Sequence, residues 1–334
     1  MPDRYLENPT KPIEVKRRKI SELTRAMKDT AFQGRKLGEA VETWAEMLRE
    51  KDLTILMGLS GAMVPAGMGK IVSFLIRNKM IDCLVSTGAN IFHDIHEALG
   101  GKHYKRGTAV SDEVLLKHRI DRMYDVYASE EQFRKADHLI SNFAKTLDSR
   151  REYSSREFLN LLGAEISKQG DKNSIIVSAY KCGVPIFAPA LSDSSIGIGI
   201  TIARRSGHKL IIDSMKDVDE ITRIVEQSKK TGVIYVGGGV PKNFIQQTEV
   251  ISSILGSELG GYDYAIQFTT DSPQWGGLSG STFEESVSWG KIAPVAKKVQ
   301  VFADATIALP IVAHALLEKS GDSIKKRRRQ TFSF

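Results

Sequence analysis

The sequence predicts an α/β fold, a mostly parallel sheet flanked by helices, with a helical segment ahead of it. Three observations carry this. Apolar residues recur at helical spacing between Ile20 and Lys51; strand–loop–helix units follow twice between Leu53 and Leu99; and the strands end in glycine or short polar residues. Strands joined by helical crossovers form parallel sheets. The 334 residues suffice for one large domain or two smaller ones with a sizeable core.

In the first segment Leu37, Val41, Trp44, Met47 and Leu48 fall at three- and four-residue steps, one face of a helix running on to Lys51. A strand at Leu53–Leu59 runs into Ser60-Gly61-Ala62-Met63-Val64-Pro65-Ala66-Gly67, then a helix over Met68–Lys79. A second strand, Ile81–Thr87, leads through Gly88-Ala89-Asn90 into a helix over Ile91–Leu99. Residues 102–170 are charged and read as mostly helical, with N-terminal caps at Ser129-Glu130-Glu131 and Ser154-Ser155-Arg156-Glu157. Further strands are expected at Pro185–Pro189, Lys209–Asp213, Gly232–Val236, Tyr264–Thr269 and Lys298–Ala303. Helices are expected at Val218–Lys230, Lys242–Leu255 and Ile307–Lys319. The domain reading is a helical extension over 1–51, a catalytic α/β domain over 52–319 carrying a helical insertion at about 102–170, and a frayed basic tail over 320–334.

Hydrophobic residues at 41% and charged residues at 26% match a globular protein, and no apolar run reaches the roughly 18 residues of a membrane span. The polar start, Met1-Pro2-Asp3-Arg4, lacks the apolar core of a signal peptide, so a cytoplasmic location is expected. Cys83 and Cys182 read as buried free thiols. The net charge of +7 is partly concentrated in Lys16-Arg17-Arg18-Lys19 and Lys325-Lys326-Arg327-Arg328-Arg329. Without interleaved aromatics these runs read as solvated tails rather than a nucleic-acid surface.

In open parallel sheets the ligand crevice lies at the carboxyl ends of the strands. Those ends carry Thr87-Gly88, Ser192-Asp193, Gly237-Gly238-Gly239, Thr269-Thr270-Asp271 and Ala303-Asp304. Glycines let backbone N–H groups approach a diphosphate at a helix N-terminus, and an acid can accept from ribose hydroxyls. The triple glycine alone serves equally as a tight turn. His93 and His96, one helical turn apart, could begin a metal site, but no third and fourth ligand is evident, and no metal is assigned. The alternatives for His93 are a proton shuttle or an amine contact, or simply a packed or exposed helical histidine. The stretch Glu284-Glu285-Ser286-Val287-Ser288-Trp289-Gly290-Lys291-Ile292, after Gly276-Gly277-Leu278-Ser279-Gly280, reads on spacing alone as a surface lysine beside a core tryptophan.

That stretch, followed by Phe302-Ala303-Asp304-Ala305, closely resembles the active-site segment of deoxyhypusine synthases. So, in order, do Phe32–Ala40, Val85-Ser86-Thr87-Gly88, Pro185–Asp193, Gly237–Lys242 and Tyr262–Ile266. The resemblance implies a Rossmann-like subunit, a homotetramer with active sites shared between subunits, NAD as cofactor and a polyamine donor. It gives Lys291 as the lysine that holds a butylamine as an imine, and Glu285 and Trp289 as polyamine contacts. It gives Thr87, Gly88, Asp193, Gly237, Gly238, Ala303 and Asp304 as cofactor contacts. The departures lie in the polyamine clamp. Asn243 stands where characterised eukaryotic enzymes have a histidine, Ile198 and Leu278 stand where acids are expected, and Phe92-His93 replaces a glutamate pair. The loop Ser60-Gly61-Ala62 also lacks an asparagine usual there. The pattern resembles the prokaryotic deoxyhypusine synthase-like branch.

The expected activity is therefore NAD-dependent 4-aminobutyl transfer through Lys291. The acceptor is a lysine of a translation-factor protein or, alternatively, putrescine, which would give homospermidine. A non-catalytic NAD- or polyamine-binding scaffold and an ordinary dehydrogenase are the alternatives of other classes. The joint presence of Lys291, Trp289, Glu285 and Asp304 speaks against the scaffold.

Overall fold

The computed structural model describes residues 6–107, 110–257 and 259–334. Met1-Pro2-Asp3-Arg4 at the head of the first segment, Thr108 and Ala109 within 102–170, and Glu258 lie outside the described residues.

The chain opens with α1 (Ile20–Lys28) and α2 (Phe32–Met47). All five residues of the expected helix face are buried, Trp44 completely. The single helix expected over 20–51 is nevertheless two. At Phe32 the backbone takes φ +54° and α1 turns back on α2. Gly38 is the point of contact, where any Cβ would run into the backbone of Thr24 and Lys28. The break is a packing decision, invisible in the periodicity.

Next come β1 (Leu53–Leu59), α3 (Gly69–Arg77), β2 (Cys83–Ser86) and α4 (Gly88–Ala98). Residues 102–170 hold α5 (Asp112–Lys117), α6 (Glu130–Ala144) and α7 (Ser155–Ile166), with Ser129 and Ser154 capping α6 and α7 as expected. They are not simply helical. β3 (Tyr104–Lys105), β4 (Ile120–Met123) and β5 (Val126–Ser129) form a small antiparallel sheet in the order β3-β5-β4. Its strands are two to four residues long, too short to show a period against charged surroundings.

The short strand β6 (Glu152–Tyr153) precedes α7. After α8 (Ile175–Cys182), β7 (Ile186–Phe187) and α9 (Ser195–Arg205), the strand expected at Lys209–Asp213 shrinks to β8 (Ile211–Ile212) and leaves the main sheet to pair with β6. Its half-exposed Ile211 offers too little apolar surface for a central strand. Then α10 (Ser214–Glu226), capped by Asp213, leads to β9 (Lys230–Val236), α11 (Gly239–Ile254), β10 (Tyr262–Thr269), α12 (Phe283–Ser288), β11 (Ile292–Phe302) and α13 (Ala305–Lys326).

The main sheet is fully parallel, in the order β11-β10-β9-β1-β2-β7. All seven residues of β1 are buried, as both faces of a parallel sheet demand. From β1 the chain winds out to β2 and β7, then returns to β9 and continues to β10 and β11. The direction of winding reverses between β1 and β9, where Leu59 is aligned with Val236 and the strands open into Ser60 and Gly237. A crevice for ligands is expected at such a reversal.

The end of the chain is not frayed. α13 runs on to Lys326, and Arg327 is buried in an ion pair with the fully buried Asp82. The guanidinium also donates to Leu53 O at 2.8 Å, and Asp82 accepts from Ile55 N at 2.9 Å. Within the basic run Arg327 closes the foot of β1 and β2 and the half-buried Arg329 donates to Ile81 O, while Lys325, Lys326 and Arg328 stay exposed, a division that charge composition could not show. Cys83 is buried and Cys182 half-buried, both as free thiols. No helix among the described residues is long and apolar enough to cross a membrane.

Candidate active site

Lys291 owes its position to the way α12 ends. Thr282 caps the helix, accepting from Glu285 N at 3.0 Å. At the other end Gly290 takes φ +68°, its N–H donates to Val287 O and that of Lys291 to Ser286 O, both at 3.0 Å. This is a Schellman closure, which needs the left-handed glycine. Tyr262 N then donates to Lys291 O, tying the lysine to β10 just before β11 begins.

The closure turns Lys291 into a cleft of about 320 Å³ that Asn243, Gln246, Leu278, Ser281, Glu285 and Trp289 help to line. Its Nζ donates to Asn243 Oδ1 at 3.4 Å and lies 5.2 Å from the centre of the Trp289 ring. Trp289 is 63% exposed, so it is no core anchor; its ring is a wall offered to solvent and to the amine. Burial holds the Lys291 amine below the ordinary lysine range, against the opposing pull of the Glu285 carboxylate.

Beneath the cleft lies a residue that sequence reasoning quoted but gave no role. Lys242, entirely buried, donates to Gln267 Oε1 at 3.0 Å, Ser281 O at 2.7 Å and Ser281 Oγ at 2.9 Å. Burial pushes its amine down to about 8, with Glu285 pulling it up and Lys291 down. Gln267 in turn donates to Gly237 O and Ser279 O, fastening both glycine loops to the sheet. The signal was present: Lys242, Asn243, Gln246 and Gln247 make one polar patch at the head of α11, on a helix that otherwise packs into the core.

The residues at the strand ends form a row rather than one cavity. Thr87 caps α4, and a Cβ on Gly88 would strike Ser194, so this turn is pressed against the loop holding Asp193. The N–H groups of Gly88 and Ala89 lie in the first turn of α4, where a helix leaves its donors unpaired. The exposed Asp193 carboxylate makes no hydrogen bond among the described residues. This end fits a cofactor with a diphosphate and sugar hydroxyls. Gly237 and Gly238 behave differently. Gly237 sits at φ +74° with no room for a side chain beside Ser60, and Gly238 N donates to Ser60 Oγ at 2.8 Å. Gly239 N donates to Ser279 Oγ. These N–H groups are spent within the chain, so the triple glycine acts here as a tight-packing turn. Ala303 and Asp304 stand at the far end of the row, where the Asp304 carboxylate caps α13 through Thr306.

His93 is not among the residues lining the Lys291 cleft. It packs with His96, His103 and Phe133 between α4 and α6. Asp94 turns the other way and accepts from Ile175 N and Ile176 N at the head of α8.

The fold is thus that of a parallel α/β protein, with a shielded lysine beside its strand ends. The sequence model of the deoxyhypusine synthase family matches residues 22–316. "Probable deoxyhypusine synthase 2" of Methanosarcina acetivorans is 66% identical over 319 residues, covering 95% of this chain and 92% of that protein. The "Deoxyhypusine synthase-like protein" of Chlorobaculum tepidum is 40% identical over 314 residues, covering 92% and 89%. A crystal structure described as a candidate deoxyhypusine synthase from Entamoeba histolytica superposes with a TM-score of 0.62 over 88% of this chain and 91% of that one, at 20% identity, a likeness of fold. The chain belongs to the deoxyhypusine synthase family, and as such is a transferase.

Proposed function

We propose that this protein transfers a 4-aminobutyl group from a spermidine-like polyamine to an acceptor amine, through an imine on Lys291 and with NAD as cofactor. The carrying observation is Lys291 itself: an amine held below the ordinary lysine range, between an aromatic face, an amide oxygen and a carboxylate. A nucleophilic lysine must be unprotonated, and partial burial is one way to make it so. NAD, when bound, supplies the hydride acceptor and returns the hydride, so no net oxidation results. Thr87, Gly88 and Asp193 would hold it at one end of the row, and Gly237, Gly238, Ala303 and Asp304 complete its surroundings.

Within this reading Lys291 Nζ attacks the oxidised donor carbon, the donor's remaining amine departs, and a C=N bond to Lys291 retains the four-carbon amine. The acceptor nitrogen adds to the same carbon and Lys291 leaves with its electron pair. Glu285 and Trp289 attract the cationic amines. His93 is read as a further amine contact. The assembly is read as a homotetramer with sites completed at subunit interfaces.

The favoured acceptor is a lysine of a translation-factor protein. Putrescine is the second reading, kept close by the changed clamp: where characterised eukaryotic members have a histidine, this chain has Asn243, which accepts from Lys291. The deciding experiment incubates purified protein with NAD and labelled spermidine, with putrescine or the acceptor protein in parallel, and traps intermediates with borohydride. A butylamine adduct on Lys291 is expected in intact mass; its absence would overturn the transferase reading and leave the scaffold. Label in the protein acceptor or in homospermidine selects the acceptor. Free NADH accumulating with substrate would mark a dehydrogenase instead.

A further inference from the structure

Three side chains, His93 and Glu97 on the second half of α4 and His103 beyond its end, form a hydrogen-bonded chain. Glu97 Oε1 lies 2.8 Å from His103 Nδ1, and His103 Nε2 lies 3.0 Å from His93 Nδ1. His103 is 6% exposed at its side chain, and its ring lies 5.0 Å from that of His93. Phe133 meets His93 and His96 edge-on, at 5.4 and 4.7 Å between ring centres, so the rings have little freedom to turn.

With the His103 ring neutral, the two hydrogen bonds set where the protons sit. A carboxylate only accepts, so His103 carries its hydrogen on Nδ1 and donates to Glu97. In the neutral ring His103 Nε2 is then an acceptor, and His93 must carry its hydrogen on Nδ1 to complete the second bond. The remaining nitrogen, His93 Nε2, is left with a bare lone pair. It makes no hydrogen bond among the described residues, and it is not sealed in as is His96 Nε2, which is buried without a partner. Burial first, and then the neighbouring His103 and His96, push His93 down to about 3, so the ring stays neutral. Of the other groups on α4, Asp94 is spent on α8, and burial pushes the His96 ring down as well.

We infer that Glu97 and His103 are positioning residues that lock His93 in its Nδ1–H form, so that Nε2 serves as a neutral acceptor for an ammonium or amine group of the substrate. The inference rests on the reading of His93 as an amine contact and specifies its chemistry. A carboxylate at this place would stabilise the ammonium form and raise the amine's pKa; a neutral imidazole lone pair orients an amine with much less of that effect. The substrate class is an aliphatic primary or secondary amine.

The test is long-range proton–nitrogen correlation on the full-length protein labelled at histidine nitrogen, with His93 assigned by comparison with His93→Gln. Expected is the Nδ1–H form of His93, the less common one for a free imidazole, with its Nε2 resonance shifting when spermidine or putrescine is added. His103→Phe and Glu97→Leu should release His93 towards the Nε2–H form and raise KM for the amine about tenfold, a small loss on the scale of acid–base effects. Both variants should leave the Lys291 adduct trappable at saturating amine. His93 found as Nε2–H in the unaltered protein overturns the lock. The Nδ1–H form with no response to amine overturns the acceptor role. The adduct reports separately, so failure of the lysine reading is distinguishable from failure of this one.

Discussion

Lys291 Nζ and Asn243 Oδ1 face each other at 3.4 Å between α12 and α11, the one direct hydrogen bond of that amine among the described residues. A neutral amide oxygen accepts from the lysine without fixing its charge, so burial decides the protonation of Lys291. Asn243→His is expected to raise the use of spermidine relative to other donors. A donor panel that leaves the preference unchanged would remove position 243 from the account of specificity.

Lys291→Arg keeps a cation in the cleft but removes the nucleophile. Product formation and the borohydride adduct should both vanish while NAD binding, followed by calorimetry, persists. Full activity in this variant would show that another residue carries the imine.

The left-handed turn at Gly290 sets the direction of Lys291. Gly290→Ala places a Cβ in a conformation costing about 1–2 kcal/mol. The expected result is a modest fall in thermal midpoint with a larger loss of kcat, because the Schellman closure aims the lysine. Loss of stability with unchanged kcat would mean that the aim is set elsewhere.

Lys242 makes stability depend on pH in the alkaline range. Its folded value of about 8 lies below the ordinary 10.5, so between those values the unfolded chain binds more protons than the folded one. Stability should therefore rise with pH across that window on account of this group. Lys242→Met should flatten the rise, and it should also loosen the loops around Gly237 and Ser279 that Gln267 and Ser281 fasten. Denaturant titrations of both proteins at several pH values read the difference directly.

The Arg327–Asp82 pair separates a docked chain end from a frayed one. Removing one partner of a buried ion pair costs about 3–5 kcal/mol, since the other charge is left without compensation. Arg327→Met should lower stability on that scale in urea titration, whereas Arg328→Met, exposed next door, should change little. Equal, negligible effects would return the segment to solvent.

The sequence by itself determined the parallel α/β class. Strand-and-crossover patterning and buried apolar runs such as Leu53–Leu59 are local properties of the chain. The buried face of α2 followed from spacing, and the family could be recognised from ordered segments across most of the chain, including the segment that bears Lys291. Other features were decided only by tertiary structure, because they depend on which surfaces meet. The left-handed turn at Phe32 splits one periodic helix into two, and Gly38 admits α1 against α2. Arg327, in a basic run, is buried because Asp82 waits at the foot of the sheet. Gly237 and Gly238, suited by composition to a diphosphate, spend their freedom on close packing against Ser60 and Ser279. Lys242 acquires its buried charge beneath the cleft only when α11 packs over Gln267. His93 gains a directed lone pair only when a loop brings His103 between it and Glu97. Periodicity records how an element faces the core; it carries no record of the particular atoms it finds there.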